Sequence, residues 1–175
     1  MEANVKFARV RPDSKIPSKR IEDMGFDIYA NFNEDFIKFK PHETKLVPTG
    51  IASSCSPKYG FLLRERGSTG SKGMALRCGV IDSGYRNEWF VGLTNTTDTY
   101  MYITKLSDFD TLDADYGFHN SIITPSQFVF YPYSKAIAQA LVVPVPEVEV
   151  EEIPYAELQQ IPSERELGAL GSSGK

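Results

Sequence analysis

The sequence predicts an all-β fold, arranged as a sandwich, a barrel or a jelly roll. Most apolar segments are short and rich in β-branched or aromatic residues. Residues 35–40 and 146–151 alternate with the period of two that half-buried strands show. Short strands separated by turn residues are typical of these architectures. The expected strands cover residues 5–10, 26–30, 35–39, 45–51, 60–64, 88–93, 100–103, 127–131, 137–143 and 147–151.

Turn signals set the ends of these strands. Pro41 follows residues 35–39, and a proline and glycine turn, Pro57-Lys-Tyr-Gly60, precedes residues 60–64. Glycines follow that strand at close intervals and predict a turn rather than a further strand. No long apolar pattern with a 3.6-residue period is present, and residues 154–160 have the composition for one or two helical turns.

The organisation along the chain predicts one domain with two added segments. A chain of 175 residues fits a single domain, and we expect its β core to span residues 1–143. Residues 105–126 interrupt the strand rhythm as an inserted loop, which is long for a loop without structure or function. Residues 144–162 predict an extended connection, and residues 163–175 predict a flexible, Gly/Ser-rich C-terminal lid.

Composition excludes several classes of protein. The net charge of −4 argues against direct nucleic-acid binding through attraction of phosphates over the whole surface. No segment approaches the roughly 20 apolar residues of a membrane span, and the N-terminus lacks a signal-peptide pattern. The two cysteines are too few for a disulfide framework or a zinc site. We therefore expect a cytoplasmic protein that is not bound to a membrane.

A carboxylate beside a glycine-containing turn is the first candidate for catalysis. Asp82 lies in Gly79-Val-Ile-Asp-Ser-Gly-Tyr-Arg86, after two apolar residues that resemble a buried strand end. Such a carboxylate can accept a proton from water and make the water nucleophilic. Tyr85 would offer a flat wall for a sugar. The alternative is a turn aspartate that caps its own backbone.

The glycine-rich residues 64–73 are a candidate phosphate site. Glycines let backbone N–H groups approach an anion, and Arg66, Ser68 and Lys72 could add charged or polar contacts. The spacing is not that of a P-loop. The alternative is a solvated turn.

Two further features could serve the same chemistry. Arg165 precedes a run of small residues at the C-terminus, as a closing phosphate lid requires, although a disordered end would have the same composition. Asp27 lies within an apolar strand, where a carboxylate is costly unless paired. It would anchor a polar network or bind a metal-bound water, unless it faces solvent.

The order and spacing of these pieces resemble the five motifs of the trimeric dUTPase family. The corresponding segments are Met24-Gly-Phe-Asp-Ile-Tyr-Ala30, Glu65–Gly73, Gly79-Val-Ile-Asp-Ser-Gly-Tyr-Arg-Asn87, Ile137-Ala-Gln139 and Arg165–Gly174. The third segment matches its motif most closely. The fourth matches only the second half of its motif.

The resemblance implies a jelly-roll-like distorted β-barrel or sandwich with a flexible C-terminal arm. It implies hydrolysis of dUTP to dUMP and pyrophosphate, which limits uracil in DNA and supplies dUMP. Asp82 would be the general base, and Tyr85 would exclude a ribose 2′-hydroxyl. Backbone groups of the hairpin at residues 76–81 would recognise uracil. Asp27 would support the site, with a magnesium-bound water as one route.

The resemblance also implies partners for the triphosphate. Arg66, Ser68 and Gln139 would hold phosphates, and Arg165 would clamp the γ end. Mg²⁺ would be the cofactor, held mainly by substrate phosphates and water, and three chains would form a homotrimer with shared active sites. The implied substrate contacts are Arg66, Gly67, Ser68, Thr69, Gly79, Val80, Ile81, Tyr85, Gln139, Arg165, Leu170, Gly171, Ser172 and Ser173.

Several positions depart from the family pattern. Gly67 stands where a serine is expected, and Ser134-Lys-Ala136 replaces Gly-Asp-Arg. Leu170 replaces the phenylalanine that stacks on uracil, so we hypothesise that Trp89 or Phe90 supplies the ring; the alternative places both in the core. Some phage members carry an insertion near residues 105–126 and bind a regulatory protein, which suggests a partner-binding role for this segment.

Two competing functions stay open at this point. A dCTP deaminase would share the fold but requires a glutamate-centred site. A binding or regulatory module that has lost turnover would explain the incomplete fourth and fifth motifs.

Overall fold

The computed structural model describes residues 4–106 and 128–163. The described part is dominated by strands, which confirms the all-β prediction. The elements are β1 Val5–Arg9, β2 Phe26–Ile28, β3 Phe36–Phe39, β4 Thr44–Pro48, β5 Ile51–Cys55, β6 Tyr59–Arg64, α1 Gly67–Gly70, β7 Met74–Arg77, β8 Val80–Ile81, β9 Phe90–Asn95, β10 Tyr100–Thr104, β11 Phe128–Pro132, β12 Ala138–Pro144 and α2 Tyr155–Leu158.

The strands form four sheets that do not close into a continuous barrel within the described ranges. The largest has the order β2-β12-β6-β8, and its neighbours are antiparallel. The others are β4-β9-β7, β3-β10-β11 and the pair β1-β5. Because β2 and β8 lie at opposite edges of the largest sheet, the motifs that contain them are held apart.

Aromatic rings and alternating strand residues build the core. In β12, Ala138 and Ala140 point into the core, whereas Gln139 lies on the outer face. The Trp89 ring packs edge-on against Phe61 with ring centroids 4.9 Å apart. Burial of each such ring contributes about 1.5–3 kcal/mol. The alternation therefore fixes which strand side chains can reach a ligand.

One pair of strands runs parallel. Tyr131 of β11 lies opposite Ile103 of β10, whereas β10 and β3 are antiparallel. Parallel strands require a crossover connection of a dozen or more residues. Residues 105–127 connect β10 to β11, so most of the predicted inserted loop lies outside the described residues.

The predicted strand at residues 45–51 is wrong in its extent, because it is two strands. β4 ends at Pro48 and β5 begins at Ile51. Gly50 between them has φ +67°, and a Cβ there would overlap the Ser14 hydroxyl oxygen. A left-handed glycine turn breaks the segment. The strands β5 and β7 were not among those expected, whereas β8 coincides with the strand end predicted at Val80 and Ile81.

The predicted strand at 147–151 is also not formed. Its side chains are exposed, and it pairs with no described strand. Alternation alone does not make a strand, because a strand requires a hydrogen-bonding neighbour.

The chain divides into two compact units, residues 1–145 and 146–175. Within the second unit, α2 confirms the helical turn expected in residues 154–160. Of the predicted lid at residues 163–175, only Ser163 is described. In the described ranges, no helix has the length and apolar character needed to cross a membrane.

Candidate active site

A cavity of about 580 Å³ opens beside the second and sixth strands. Asp27, Arg66 and Gln139 line one part of it, and all three were predicted from the sequence. Lys19 and Arg20 line the other part and add positive charge. Arg20 is paired with Asp23, and Arg66 with Asp27, so the three cations outnumber the two carboxylates of the cavity by one. This small positive excess favours an anionic ligand.

An ion pair between Asp27 and Arg66 forms the centre of this cavity. Arg66 Nε lies 2.9 Å from Asp27 Oδ1, and Arg66 Nη2 donates to Asp27 Oδ2 at 3.3 Å. The side chains are 32% and 30% exposed, so the pair contributes at most about 1 kcal/mol to stability. Asp27 therefore belongs to a polar network, while its side chain stays partly exposed to solvent.

Gln139 shares a face with Asp27 because the two residues lie directly opposite each other in β12 and β2. Its Nε2 donates to the Glu65 carbonyl oxygen at 2.8 Å, which ties β12 to the start of the glycine-rich turn. A Cβ on Gly25 would lie 2.9 Å from Gln139 Oε1. Glycine at position 25 thus leaves space for this amide.

The glycine-rich turn folds as the short helix α1. The Thr69 hydroxyl accepts from the Arg66 N–H at 2.9 Å and donates to the Arg66 carbonyl at 3.0 Å. Thr69 is buried and its side chain holds the turn, so its predicted substrate contact stays a prediction. Gly67 is exposed with open space around it.

Ser68 extends the network away from Arg66. Arg66 Nη1 donates to Ser68 Oγ at 3.3 Å, and Ser68 Oγ lies 3.3 Å from the Tyr131 hydroxyl oxygen. The Tyr131 hydroxyl donates to the Ala136 carbonyl at 2.6 Å. Ser68 is exposed, whereas Tyr131 is buried. The hydroxyl of the buried Tyr131 therefore contacts the predicted phosphate ligand Ser68 from the core side.

Two titrating groups border this cluster. Burial, and then the negative charge of Asp27, raise the pKa of Tyr29 above its ordinary value. The Glu65 carboxylate accepts a hydrogen bond from the Leu76 N–H at 2.9 Å, and this bond is the main cause of its lowered pKa. Tyr29 therefore stays protonated and Glu65 stays ionised near neutral pH.

The predicted uracil-reading hairpin, residues 76–81, contains the end of β7 and all of β8, but in the described ranges these strands pair with β9 and β6 and not with each other. The Gly79 carbonyl accepts from the Leu63 N–H at 2.6 Å, and a Cβ on Gly79 would lie 2.8 Å from the Leu63 carbonyl oxygen. Only glycine fits this close approach without movement of the backbone. Ile81 is buried and anchors the hairpin, while Val80 is exposed.

The turn after β8 presents Asp82 and Tyr85 to solvent. The Tyr85 N–H donates to the Asp82 carbonyl at 3.1 Å, and the Tyr85 hydroxyl donates to the Glu88 carbonyl at 3.1 Å. Within the described ranges, the Asp82 carboxylate has no hydrogen-bond or ion-pair partner. The alternative of an aspartate that caps its own turn is therefore wrong.

A single chain does not bring Asp82 to the Asp27–Arg66 pair. β8 lies three strand spacings from β2, and Asp82 lies about four residues further along the sheet than Asp27. With about 4.8 Å between strands and about 3.4 Å per residue, the two carboxylates lie roughly 20 Å apart. Adjacent phosphates of one triphosphate cannot bridge that distance.

The two candidate stacking rings have different environments. Trp89 is 0% exposed and packs among core aromatic residues, so the hypothesis that it stacks on a base is wrong. Phe90 is 40% exposed. It lies two residues before Gly92, which pairs with Arg77 of the hairpin strand β7. That the Phe90 ring stacks on uracil stays a prediction.

The lid residues are outside the described ranges. This applies to Arg165, Leu170, Gly171, Ser172 and Ser173. Sequence reasoning missed Lys19, Arg20 and Tyr131. Adjacent cations shortly before Asp27 were a usable signal for the first two, whereas nothing local distinguishes Tyr131 from other aromatic strand residues.

Comparisons with known proteins agree on one family. The sequence model described as dUTPase matches residues 13–107. The deoxyuridine 5′-triphosphate nucleotidohydrolase of Buchnera aphidicola subsp. Acyrthosiphon pisum (strain Tuc7) is 32% identical over 59% of this chain and 70% of its own. The enzyme of the same name from Paraburkholderia xenovorans (strain LB400) is 28% identical over 100% and 99% of the two chains.

Solved structures show the same fold. The dUTPase of Staphylococcus bacteriophage 80alpha with dUPNHPP superposes with a TM-score of 0.69 at 20% identity over 98% and 99% of the chains. A mutant of the dUTPase from S. aureus phage phi11, described with a structural Mg(II) ion, gives a TM-score of 0.62 at 18% identity over 86% and 96%.

Proposed function

The chain belongs to the dUTPase family, and from this premise we propose how it hydrolyses dUTP to dUMP and pyrophosphate. The family match spans Asp27, Arg66 and Asp82, which lie in the first three of the five motif-like segments. The observation that carries the mechanism is the exposed Asp82 carboxylate, which has no partner in the described ranges. A carboxylate free of an ion pair can accept a proton.

In the proposed reaction, Asp82 acts on water. Its carboxylate accepts a proton from a water molecule as the water oxygen attacks the α-phosphorus of dUTP. The bond between the α-phosphorus and the bridging oxygen breaks, and pyrophosphate leaves. Tyr85, fixed by its bond to the Glu88 carbonyl, packs against the deoxyribose and leaves no space for a 2′-hydroxyl.

The phosphate chain lies at the Asp27–Arg66 cluster. Arg66 has donors already directed at a carboxylate, and the same guanidinium can bind phosphate oxygens. Ser68 and Gln139 flank it with a hydroxyl and an amide. Because these groups are placed before substrate arrives, they can bind the triphosphate without reorganisation.

The proposed cofactor is Mg²⁺. No group of three His, Cys, Asp or Glu side chains in the described ranges could hold a metal by itself. The residues fit an ion whose ligands come mainly from phosphate oxygens and water, with Asp27 as an outer contact, since Mg²⁺ commonly keeps several waters. When bound, the ion would neutralise triphosphate charge and align it for attack.

We further propose that the active site is shared between chains of a homotrimer. The separation of roughly 20 Å between Asp82 and Asp27 within one chain supports this proposal. A second copy can place its hairpin beside the phosphate cluster of the first. The outer hairpin residue Val80 is exposed, as an apolar residue would be before such an interface forms.

Pyrophosphate release tests the function. Purified protein with Mg²⁺ is offered dUTP, dTTP, dCTP and UTP, alongside Asp82→Asn. Turnover confined to dUTP and lost in Asp82→Asn is the expected result. Ammonia release from dCTP would favour a deaminase, and a folded protein that binds dUTP without turnover would favour a binding module.

Mixing two inactive variants tests the sharing. Asp82→Asn and Arg66→Ala each remove one half of the site. If each site takes the two halves from different chains, co-expression in equal amounts restores about one quarter of wild-type activity, because each half is intact with a probability of about one half. Sites built within one chain would recover no activity. Light scattering checks for three times the chain mass.

A further inference from the structure

A buried tyrosine lies beneath the predicted phosphate ligand Ser68. Tyr131 of β11 is 0% exposed and faces the core, yet its hydroxyl reaches two polar groups. These are the Ala136 carbonyl at 2.6 Å and Ser68 Oγ at 3.3 Å. The tyrosine ring is held by core packing, so its hydroxyl oxygen is a fixed point close to a surface residue.

The available hydrogens decide the direction of these bonds. The Ala136 carbonyl can only accept, so it takes the single hydroxyl hydrogen of Tyr131. The Tyr131 oxygen then accepts from Ser68, whose own oxygen accepts from Arg66 Nη1 at 3.3 Å. The chain of donors therefore runs from Arg66 through Ser68 and Tyr131 to Ala136.

We propose that Tyr131 is a positioning residue for phosphate binding, which acts by holding the Ser68 hydroxyl beside Arg66. This inference rests on the proposed function, in which Ser68 and Arg66 bind the triphosphate. Ser68 lies one position later than the serine expected from the family pattern, and Gly67 occupies that earlier position. A displaced hydroxyl needs its own support, and Tyr131 supplies it.

The surroundings of Tyr131 explain why the Ser68 hydroxyl is held by a residue of the core. Ala136 stands where the family motif has arginine, and its short side chain brings no donor to this region. The Tyr131 hydroxyl bonds to the backbone of that same residue. One buried tyrosine thus links the incomplete fourth motif to the altered second motif.

Tyr131 also serves the bound state. When a phosphate oxygen accepts the Ser68 hydrogen, the Tyr131 O–H can rotate to donate to Ser68 Oγ, at the cost of its bond to the Ala136 carbonyl. The direction of the hydrogen bond between Ser68 and Tyr131 is then reversed, and no heavy atom has to move. A phenylalanine at position 131 cannot do this, so it should weaken the Ser68–phosphate bond while leaving Asp82 unaffected.

The test compares Tyr131→Phe with Tyr102→Phe. Tyr102 is a matched control, because it is 1% exposed on the adjacent strand β10 and its hydroxyl has no hydrogen-bond partner in the described ranges. We expect Tyr131→Phe to raise KM for dUTP about fivefold, the effect of losing one neutral hydrogen bond, with kcat within about twofold of wild type. Tyr102→Phe should match wild type in both constants.

A double-mutant cycle separates positioning from general loosening. In a Ser68→Ala background, Tyr131→Phe should raise KM no further, since the group it positions is already gone. A further fivefold rise in that background would overturn the inference, and so would an unchanged or lowered KM in Tyr131→Phe alone.

Calorimetric binding of inorganic pyrophosphate keeps the inference separate from the proposed function. Weaker pyrophosphate binding by Tyr131→Phe than by wild type supports the positioning role. This holds even if wild type releases no pyrophosphate from dUTP, because that absence of turnover would contradict only the proposed function. Normal dUTP turnover with equal pyrophosphate binding by both proteins would end only the inference. Failure of wild type both to turn over dUTP and to bind pyrophosphate would end both.

Discussion

The phosphate cluster and the hairpin turn represent two ways of placing a polar side chain. In the cluster, Asp27, Arg66 and Gln139 are each held by at least one hydrogen bond or ion pair and lie on paired strands or a capped turn. In the turn, Asp82 is exposed and unpaired in the described ranges, and only the backbone around it is fixed. The phosphate cluster is preorganised by contacts within its own chain. The Asp82 side chain of the hairpin turn, the open region, has no such contacts in the described ranges.

The difference follows from what each region must do. A phosphate clamp gains from fixed donors, because no reorganisation is needed when charge arrives. A general base must keep its lone pairs free, so an ion pair within the same chain would oppose its function. The open region is therefore the one that a second chain should complete, and variants in the two regions should differ in their effects on stability.

The largest expected effect is at Asp82. Asp82→Asn should lower kcat by a factor of about 10² to 10⁴, because the amide cannot take the proton from water. The melting temperature should stay that of wild type, since no described contact is lost. Steady-state pyrophosphate release and calorimetry measure the two quantities. A clear fall in melting temperature would show that the hairpin turn is not the open region described above.

Arg66 should behave differently. Arg66→Lys cannot keep both contacts with Asp27, and we expect activity to fall about 10- to 100-fold, as for loss of a charged hydrogen bond. The melting temperature should also fall, by a few degrees at most, because the ion pair is partly exposed. Asp27→Asn is the control for the pair. If Arg66→Lys lowers activity but leaves the melting temperature unchanged, the contrast between the phosphate cluster and the hairpin turn is contradicted.

Tyr85 should affect selectivity more than rate. Tyr85→Ala removes the wall against the sugar, so the ratio of kcat/KM for UTP to that for dUTP should rise about tenfold. Tyr85→Phe keeps the ring and loses only the bond to the Glu88 carbonyl, so its selectivity should stay near that of wild type. Equal ratios in Tyr85→Ala and wild type would contradict a steric role.

The smallest expected effect concerns pH and Glu65. The folded pKa of Glu65 lies below its ordinary 4.5, so its contribution to stability is present at neutral pH and is lost as pH falls through the folded pKa. Glu65→Gln should lower the melting temperature by about 2–4 °C at pH 7, and the difference should shrink below about pH 4.5. Glu147→Gln, at an exposed glutamate, is the control for charge alone. A difference that is independent of pH would exclude this linkage.

The sequence was most informative where local chemistry is distinctive. Asp27 in an apolar strand, Gly79 before two apolar residues and the Asp82–Tyr85 spacing each marked a candidate site residue. In the structure, Asp27 lies in β2, Gly79 lies directly before β8, and Asp82 and Tyr85 lie in the turn after β8. The strand periodicity predicted most of the elements as well. These signals are short-range, so one sequence is enough to reveal them.

Positions that depend on long-range pairing could not be predicted. The reach of the Tyr131 hydroxyl to Ser68 depends on how β11 lies relative to α1. The burial of Trp89 depends on its packing against Phe61, which is 28 residues away in the sequence. In each case the deciding neighbour is remote in the sequence.

The parallel pairing of β10 and β11 has a consequence for how this protein can vary. The register of Tyr131 against Ile103 is set by backbone hydrogen bonds between strands rather than by the length of residues 105–127. The entropy of closing a loop grows only logarithmically, so doubling a connection costs about 0.6 kcal/mol. Insertions between these strands are therefore inexpensive, and so are deletions that leave the dozen or so residues that a parallel crossover requires. Evolution can exchange this part of the chain while Tyr131 stays in place beneath Ser68.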